Sequence, residues 1–507
     1  MIRLSMHRNS LIPSLKRTLA VTGVSACLLG FAARTVDART YRIRVDFTSD
    51  GEEIASWPQI CGPHIPVDGS YPPGNRWRYF LRYWPHHVRW QSYDVTAETD
   101  KSPAALTREG PFTGGKRWYD FTKPTGRSKN LQAHVAEYHG KGYETSPGFG
   151  NRFGSFVRGQ PRVAKNLVYW IVRHFNENKI GGNPILHWRF GLEMQGRREA
   201  YLPDVDWEKH DRFWDFYAGE RVARNYVESL LAPGAEAVEA ASRDVYGNPD
   251  TVKVVLGTVG CENPAGMRFL DAILDQRLSG KNAPALEGDR MWQHVDFLSV
   301  NFFLSTTRYV QILNHLHATY MQTGKVEGIW VTDLGRAGNG AWLVIQTAAR
   351  FLDWSSGKYT SPHALRLFYW GEGIKQPSGP ATDALDYLGD IFQDATIRDH
   401  TDAVTFRCGV DLVPERYAFS CGTADSKKHL VAMFPHEKTY PMDFRLEGLG
   451  RRKFAAEPRV SVKLWPEDRN AYDIAPDAVE RTDDSMNIHF EKSIAEDTLM
   501  TILVECE

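Results

Sequence analysis

Two short apolar runs end in a carboxylic acid: Ile185-Leu-His-Trp-Arg-Phe-Gly-Leu-Glu193 and, about 140 residues later, Gly328-Ile-Trp-Val-Thr-Asp333. In a chain that alternates strands and helices, acids leaving the C-terminal ends of two distant parallel strands meet at the mouth of a barrel. Two facing carboxyls are what glycosidic bond cleavage requires, one donating a proton and the other acting as nucleophile or base. Glu193 lies between Gly191 and Gln195-Gly196, where burial can lift a carboxyl toward the range of a general acid. The alternative is a strand-end acid paired with Arg197 or Arg198. Glu372 and Glu262, each just past another apolar run, are spare carboxylates that could replace Asp333, bind sugar hydroxyls, or sit on the surface.

The elements that must position these acids follow from hydrophobic period. From about residue 60 to 395 short apolar runs alternate with longer amphipathic ones, the pattern of a parallel sheet with crossover helices. Strands are expected at His87–Tyr93, Tyr143–Gly148, Ile185–Leu192, Val252–Thr258, Val295–Asn301, Gly328–Asp333 and Ala364–Trp370, with a weaker first one near Gln59–His64. Helices are expected at Ser128–His139, Arg162–Asn176, Asp211–Leu231, Ala265–Leu278, Tyr309–Met321, Ala341–Trp354 and Ala381–Phe392. Eight strands with intervening helices over roughly 330 residues make an α/β fold, a (β/α)8 TIM barrel with loop insertions. No Gly-rich phosphate loop follows an early strand, which disfavours a doubly wound open sheet. After residue 396 the runs shorten and are punctuated by Pro, Gly and Asp, the pattern of an accessory antiparallel β-sandwich. Tyr41-Arg-Ile-Arg-Val45 alternates and could add a strand to it. The expected divisions are therefore 1–38, 39–60 as an N-terminal strand of the sandwich, 61–395 as the barrel and 396–507 as the sandwich.

Residues 1–38 read as an export signal. Arg3, Arg8, Lys16 and Arg17 precede an apolar stretch from Leu19 to Ala33, and Val36-Asp37-Ala38 offers a cleavage site. The stretch is too short and wrongly flanked for a stable membrane span. Val24-Ser25-Ala26-Cys27 resembles a lipoprotein box, but the apolar run continues past Cys27, which favours simple cleavage over a lipid anchor. The mature chain is expected to be secreted or periplasmic. It would keep Cys61, Cys261, Cys408, Cys421 and Cys506, and the spacing of Cys408 and Cys421 suits a bridge between adjacent strands. The balance of 61 Lys+Arg against 62 Asp+Glu argues against a nucleic-acid partner. No CxxC or HExxH motif is present, and no metal or organic cofactor is expected. The 15 Trp residues serve a large core or stack on sugar rings.

Several of these segments together resemble the clan A retaining glycoside hydrolases, and within them the family 39 arrangement of export signal, (β/α)8 barrel and β-sandwich. His87-Val-Arg89-Trp-Gln is similar to the clan's Arg-bearing second strand, and Trp118-Tyr119-Asp-Phe121 with Tyr143-Glu-Thr-Ser-Pro-Gly-Phe149 to the family's run into strand 3. The Trp188…Glu193 strand followed by Phe213-Trp214-Asp-Phe-Tyr217 resembles the acid/base strand and its helix, and Trp330-Val-Thr-Asp333-Leu-Gly335 the nucleophile strand. The resemblance implies that Arg89 holds the nucleophile carboxylate ionised; a plain salt bridge at the barrel base would use the same residue. It further implies that Trp370 is a sugar platform and that Asn301 is a polar residue beside the nucleophile; Asn301, Trp188, Trp370 and Glu372 are the candidate substrate contacts. Three positions depart from the pattern. Asp333 stands where the clan has Glu, Leu192 where it has Asn, and Phe303 where it has an aromatic able to hydrogen-bond. Asp withdraws the carboxylate by roughly 1.5 Å, whereas retention needs about 5–5.5 Å between the carboxyls and inversion roughly 6.5–9.5 Å.

The expected activity is hydrolysis of a poly- or oligosaccharide by an exported glycoside hydrolase using Glu193 and Asp333. The alternative is a carbohydrate-binding barrel that has lost turnover, which the Asp333 and Leu192 departures keep open. A metal-dependent deacetylase or an esterase would need a His/Asp set or Gly-x-Ser-x-Gly, and the sequence has neither.

Overall fold

Strict alternation in the first strand, β1 (Tyr41–Asp46), buries Tyr41, Ile43 and Val45 and turns Arg42 and Arg44 to solvent. The chain divides into Met1–Ala38 and Arg39–Glu507. The computed structural model describes residues 41–48, 51–56, 61–66, 81–84, 111–112, 131–140, 144–150, 161–191, 201, 216–261, 264–301, 306–334, 341–361, 363–369, 380–392, 395–407, 418–433, 442–449, 458–466, 470–482, 485–491 and 498–506, all in the second unit. After β1 comes β2 (Glu52–Ser56), and then a set of parallel strands begins. These are β3 (Cys61–Pro66), β4 (Leu81–Trp84), β5 (Thr145–Phe149), β6 (His187–Phe190), β7 (Lys253–Leu256), the two-residue β8 (Val259–Gly260), β9 (Phe297–Asn301), β10 (Gly328–Leu334) and β11 (Leu365–Tyr369). Neighbours pair in the order β10-β11-β3-β4-β5-β6-β7-β9, and β10 also pairs with β9, so the sheet curls back on itself. Interleaved helices are α1 (Leu131–Gly140), α2 (Pro161–Asn178), α3 (Phe216–Tyr226), α4 (Ala232–Tyr246), α5 (Pro264–Leu274), α6 (Thr306–Leu316), α7 (Ala341–Ser355) and α8 (Pro380–Phe392).

Both faces of the curled sheet are buried, each by its own residue set. His187 on β6 lies 5.3 Å from Trp330 on β10, ring centre to ring centre. Along the sheet three strand spacings separate them, roughly 14 Å, so the contact crosses the inside of the curl. Val255, Phe297, Trp330 and Phe368 form a compact cluster on that inner side. The alternate residues, among them Trp188, Phe190, Val331 and Leu367, pack outward into the main core with the helices.

The C-terminal part adds β12 (Thr396–Asp399), β13 (Val404–Arg407), β14 (Ala418–Thr423), β15 (Lys428–Met433), β16 (Met442–Glu447), β17 (Arg459–Pro466), β18 (Tyr472–Ile474), β19 (Ala478–Arg481), β20 (Ser485–Phe490) and β21 (Thr498–Glu505). They form two sheets, ordered β13-β1-β16-β20-β19 and β18-β17-β21-β15-β14-β12-β2. Pairing is antiparallel except between β1 and β16. One apolar layer, including Ile43, Phe444, Ile488, Val431, Met500 and Ile502, lies between the sheets. The far face of the seven-stranded sheet, through Phe419, Leu430, Trp465 and Leu503, joins the same core as α7 and α8. No helix among the described residues is long and apolar enough to cross a membrane.

Four expectations change. The sheet's second strand is β4 at Leu81–Trp84, hydrogen-bonded between β3 and β5, whereas the expected His87–Tyr93 lies outside the described residues. The likeness of His87-Val-Arg89-Trp-Gln to an Arg-bearing strand favoured the later run. Helix α4 was not expected, because Pro233 reads as a terminator. Here the proline stands in the first turn of α4, after a π-helical turn over Val227–Leu231 that joins it to α3. β12, β13 and β16 were not expected either, because their partners β1 and β2 lie far off in sequence. The Cys408–Cys421 bridge is also corrected. Cys421 is a free, buried thiol on β14, pushed well above the usual thiol range by burial.

Candidate active site

The C-terminal ends of β6, β7, β9 and β10 carry the groups on which the described part of the site is built. β6 ends at Phe190, and Gly191 leaves the strand with φ of 94°, a conformation side-chain-bearing residues rarely adopt. Its N–H donates to the Phe149 carbonyl (2.8 Å), which fixes the exit direction two positions before Glu193. The buried Tyr226 of α3 braces the same end, donating from its hydroxyl to the Phe190 carbonyl (2.6 Å) and accepting from the Gly257 N–H (3.3 Å). Burial pushes its phenol far above the ordinary range, so it stays a neutral donor.

At the neighbouring strands β7, β9 and β10, polar side chains follow the aromatic cluster along the inner face. Thr258, Ser299, Thr332 and Asn301 are each fully buried. The Ser299 and Thr332 hydroxyls are 2.9 Å apart, Thr258 lies 3.3 Å from Ser299, and Thr332 donates to Asn301 Oδ1 (3.2 Å). With its Oδ1 engaged by Thr332, the Asn301 amide has a set orientation. The residue after Thr332 is Asp333, near the end of β10. Between Val331 and Leu334 the strand carries one residue more than β11 does between Leu367 and Tyr369. Such a bulge interrupts the two-residue alternation and re-aims side chains, and bulges recur beside active sites.

Of the residues singled out from sequence, Asn301 sits at the top of the hydroxyl ladder and Asp333 occupies the bulged end of β10. Trp188 is corrected. It is 1% exposed, its indole N–H donates to the Ile185 carbonyl (3.0 Å), and its ring stacks at 5.7 Å on Phe149. It therefore faces the helices and has no open face for a sugar. Arg89, Glu193, Trp370, Glu372 and Glu262 lie outside the described residues. Sequence reasoning missed Thr258, Ser299, Thr332 and Tyr226. The available signal was a hydroxyl in each of three consecutive apolar runs that an all-hydrophobic core would not require.

No protein-family model matches the sequence, and no curated protein matches it. Solved structures do share its architecture. A family 44 glycoside hydrolase, the xyloglucanase of Paenibacillus polymyxa solved with xyloglucan, superposes with a TM-score of 0.51 at 9% identity, spanning 92% of this chain and 100% of that one. Another structure of a Paenibacillus polymyxa family 44 xyloglucanase gives 0.50 at 10% identity over the same shares. A family 51 α-L-arabinofuranosidase from Thermotoga petrophila gives 0.47 at 13% identity, again over 92% and 100%. The chain thus has a fold like that of glycoside hydrolases: a curled parallel sheet with helices, followed by antiparallel sheets.

Proposed function

We propose that this chain is an exported glycoside hydrolase that cleaves a poly- or oligosaccharide with a carboxyl pair. In this reading it is a clan A enzyme of the family 39 arrangement, with a complete (β/α)8 barrel and an accessory sandwich. Glu193 is its general acid/base, and Asp333, in place of the usual Glu, is its nucleophile or water-activating base. One observation supports the reading: β6 and β10 run parallel in one curled sheet, three strand steps apart, and in such a sheet chemistry is carried by residues at the C-terminal ends of several strands. The likeness of fold to a xyloglucanase supports the reaction class and leaves the sugar open. The extra residue in β10 supports Asp333, because a bulge can return reach that the shorter side chain gives up. Arg89 keeps the Asp333 carboxylate ionised, Asn301 bonds substrate or that carboxylate through its amide, and Trp370 and Glu372 contact the sugar. Cleavage after Ala38 releases the mature chain without a lipid at Cys27.

The test is release of reducing sugar by the mature protein from a broad panel of polysaccharides and aryl glycosides, beside Glu193→Gln and Asp333→Asn. Turnover by wild type and its loss in both variants is expected, and the anomer first formed then distinguishes retention from inversion. A well-folded wild type that binds saccharide without turning any over, with binding unchanged in both variants, would replace this reading by the non-catalytic one.

A further inference from the structure

The five-stranded sheet buries one face against its partner sheet, and its other face is turned away from both the sandwich core and the barrel helices. That outer face holds a groove of about 660 Å³ lined from β13, β1, β16, β20 and β19. Strand alternation populates it with charge. Arg42 and Arg44 come from β1, Asp443 and Arg445 from β16, Asn487 and His489 from β20, and Glu480 from the edge strand β19. Arg44 and Arg445 are direct register partners on adjacent strands. Like charges so placed repel, and a single carboxylate holds them together. Arg44 donates to one oxygen of Glu447 (2.7 Å) and Arg445 reaches the other (2.6 Å). Two guanidinium groups thus share one negative charge, while each keeps further N–H donors. Arg42, two residues before Arg44 on β1, forms no hydrogen bond or ion pair among the described residues, and its register neighbour Asp443 is bonded to His489 (2.5 Å) instead. Glu480 stands two strand spacings from Arg445, roughly 9.5 Å across the sheet, and forms no ion pair among the described residues.

The groove therefore has guanidinium groups on β1 and β16 whose charge is only partly met, with Asp443 beside Arg42, the Thr405 hydroxyl and the Asn487 amide between the strands' charged groups, and Glu480 on the far edge. Arginine forks match carboxylates bidentately, and the acids and Asn487 accept from or donate to hydroxyls. We propose that this groove is a second saccharide site, separate from the barrel mouth, that binds a polysaccharide bearing uronic acid carboxylates. The choice of a saccharide rests on the hydrolase reading above; the choice of an acidic one rests on the arginines. Such a site would hold the enzyme on its polymer while the mouth acts on a neighbouring stretch, raising the local substrate concentration.

The experiment is calorimetric binding of the full mature chain to polygalacturonate, to the same polymer after its carboxyls are reduced to alcohols, and to an uncharged glucan. It is run on wild type, on Glu193→Gln and on the double variant Arg42→Ala/Arg445→Ala. Wild type and Glu193→Gln should bind polygalacturonate alike, with affinity that falls as salt is raised. The double variant, with an unchanged melting temperature, should lose about tenfold or more, and so should carboxyl reduction. Equal affinity for the carboxyl and alcohol polymers, unaltered binding in the double variant, or no binding by wild type would each overturn the proposal. Turnover of a small aryl glycoside, which cannot span to the groove, should be the same in wild type and the double variant. Absence of that turnover in wild type would count against the hydrolase reading alone, leaving the binding result to stand or fall by itself.

Discussion

Replacing Thr332 by valine separates hydrogen bonding from packing inside the curled sheet. Valine keeps the β-branched shape and nearly the volume of threonine, so no cavity opens. What disappears is a hydroxyl that is 2.9 Å from Ser299 Oγ, donates toward Asn301 Oδ1 at 3.2 Å and lies 3.5 Å from Thr258 Oγ1, with every partner buried. A buried neutral hydrogen bond contributes about 1 kcal/mol net, and a buried partner left short of one costs about 1–3 kcal/mol. Thr332→Val should therefore cost about 2–4 kcal/mol. Thr332→Ser keeps the hydroxyl and loses one methyl, worth about 1 kcal/mol with its small void. Packing alone would rank the variants the other way. Urea unfolding followed by tryptophan fluorescence reads the order directly, provided the slopes agree. A valine variant as stable as wild type beside a weakened serine variant would refute the hydroxyl ladder as a source of stability. If the ladder orients Asn301, the valine variant should also lose more turnover than the serine variant at matched folded fraction.

Other outcomes follow from equally specific contacts. The Lys165–Glu236 pair, 2.7 Å apart with side chains 5% and 7% exposed, links α2 to α4. Lys165→Met should cost about 3–5 kcal/mol by stranding the carboxylate, and Lys165→Met/Glu236→Leu should recover most of that in a double-mutant cycle. Gly328→Ala should destabilise by about 1–3 kcal/mol in the same unfolding assay, because the added Cβ would stand 2.1 Å from the Ala364 carbonyl oxygen. Burial, then the neighbouring Asp399 and Asp402 against Arg350 and Lys358, raises the Asp353 carboxyl to about 7, and burial also raises that of Asp399. A raised folded-state pKa contributes stability below the unfolded value that is lost as pH rises through the folded one. The Asp353 contribution should thus be lost between about pH 4 and pH 7, so the melting temperature of wild type should change less favourably with rising pH over that range than that of Asp353→Asn. A melting-temperature difference between wild type and Asp353→Asn that does not change from pH 4 to pH 7 would contradict it.

How far the chain could be read without coordinates depended on how local each signal was. Strands such as Gly328–Leu334 and helices such as Ala341–Ser355 announce themselves by period and were placed within a residue or two. Trp188 illustrates a limit: both faces of a curled parallel sheet are buried, so alternation shows that residues 188 and 189 differ without saying which one faces the axis. What makes β12, β13 and β16 strands is pairing with segments far along the chain. The hydroxyl ladder was hidden because Thr258, Ser299 and Thr332 are unremarkable one at a time and meet only when three strands come into register.

The first strands belong to the last sheets, and this has a cost in time. Ser56 of β2 bonds to Thr396 of β12 some 340 positions later, while β1 waits for partners on β13 and β16. At a synthesis rate of about 5–20 residues per second, β1 and β2 emerge roughly 17–70 s before their partners exist. During that interval Tyr41, Ile43 and Val45 have nothing to cover them, and an uncovered alternating strand is a template for pairing with other chains. Closure of the sandwich is therefore among the last events of folding. A chaperone that holds the amino-terminal 20 or so residues after Arg39 would shorten the period of greatest exposure to aggregation, whereas one acting on the barrel would not.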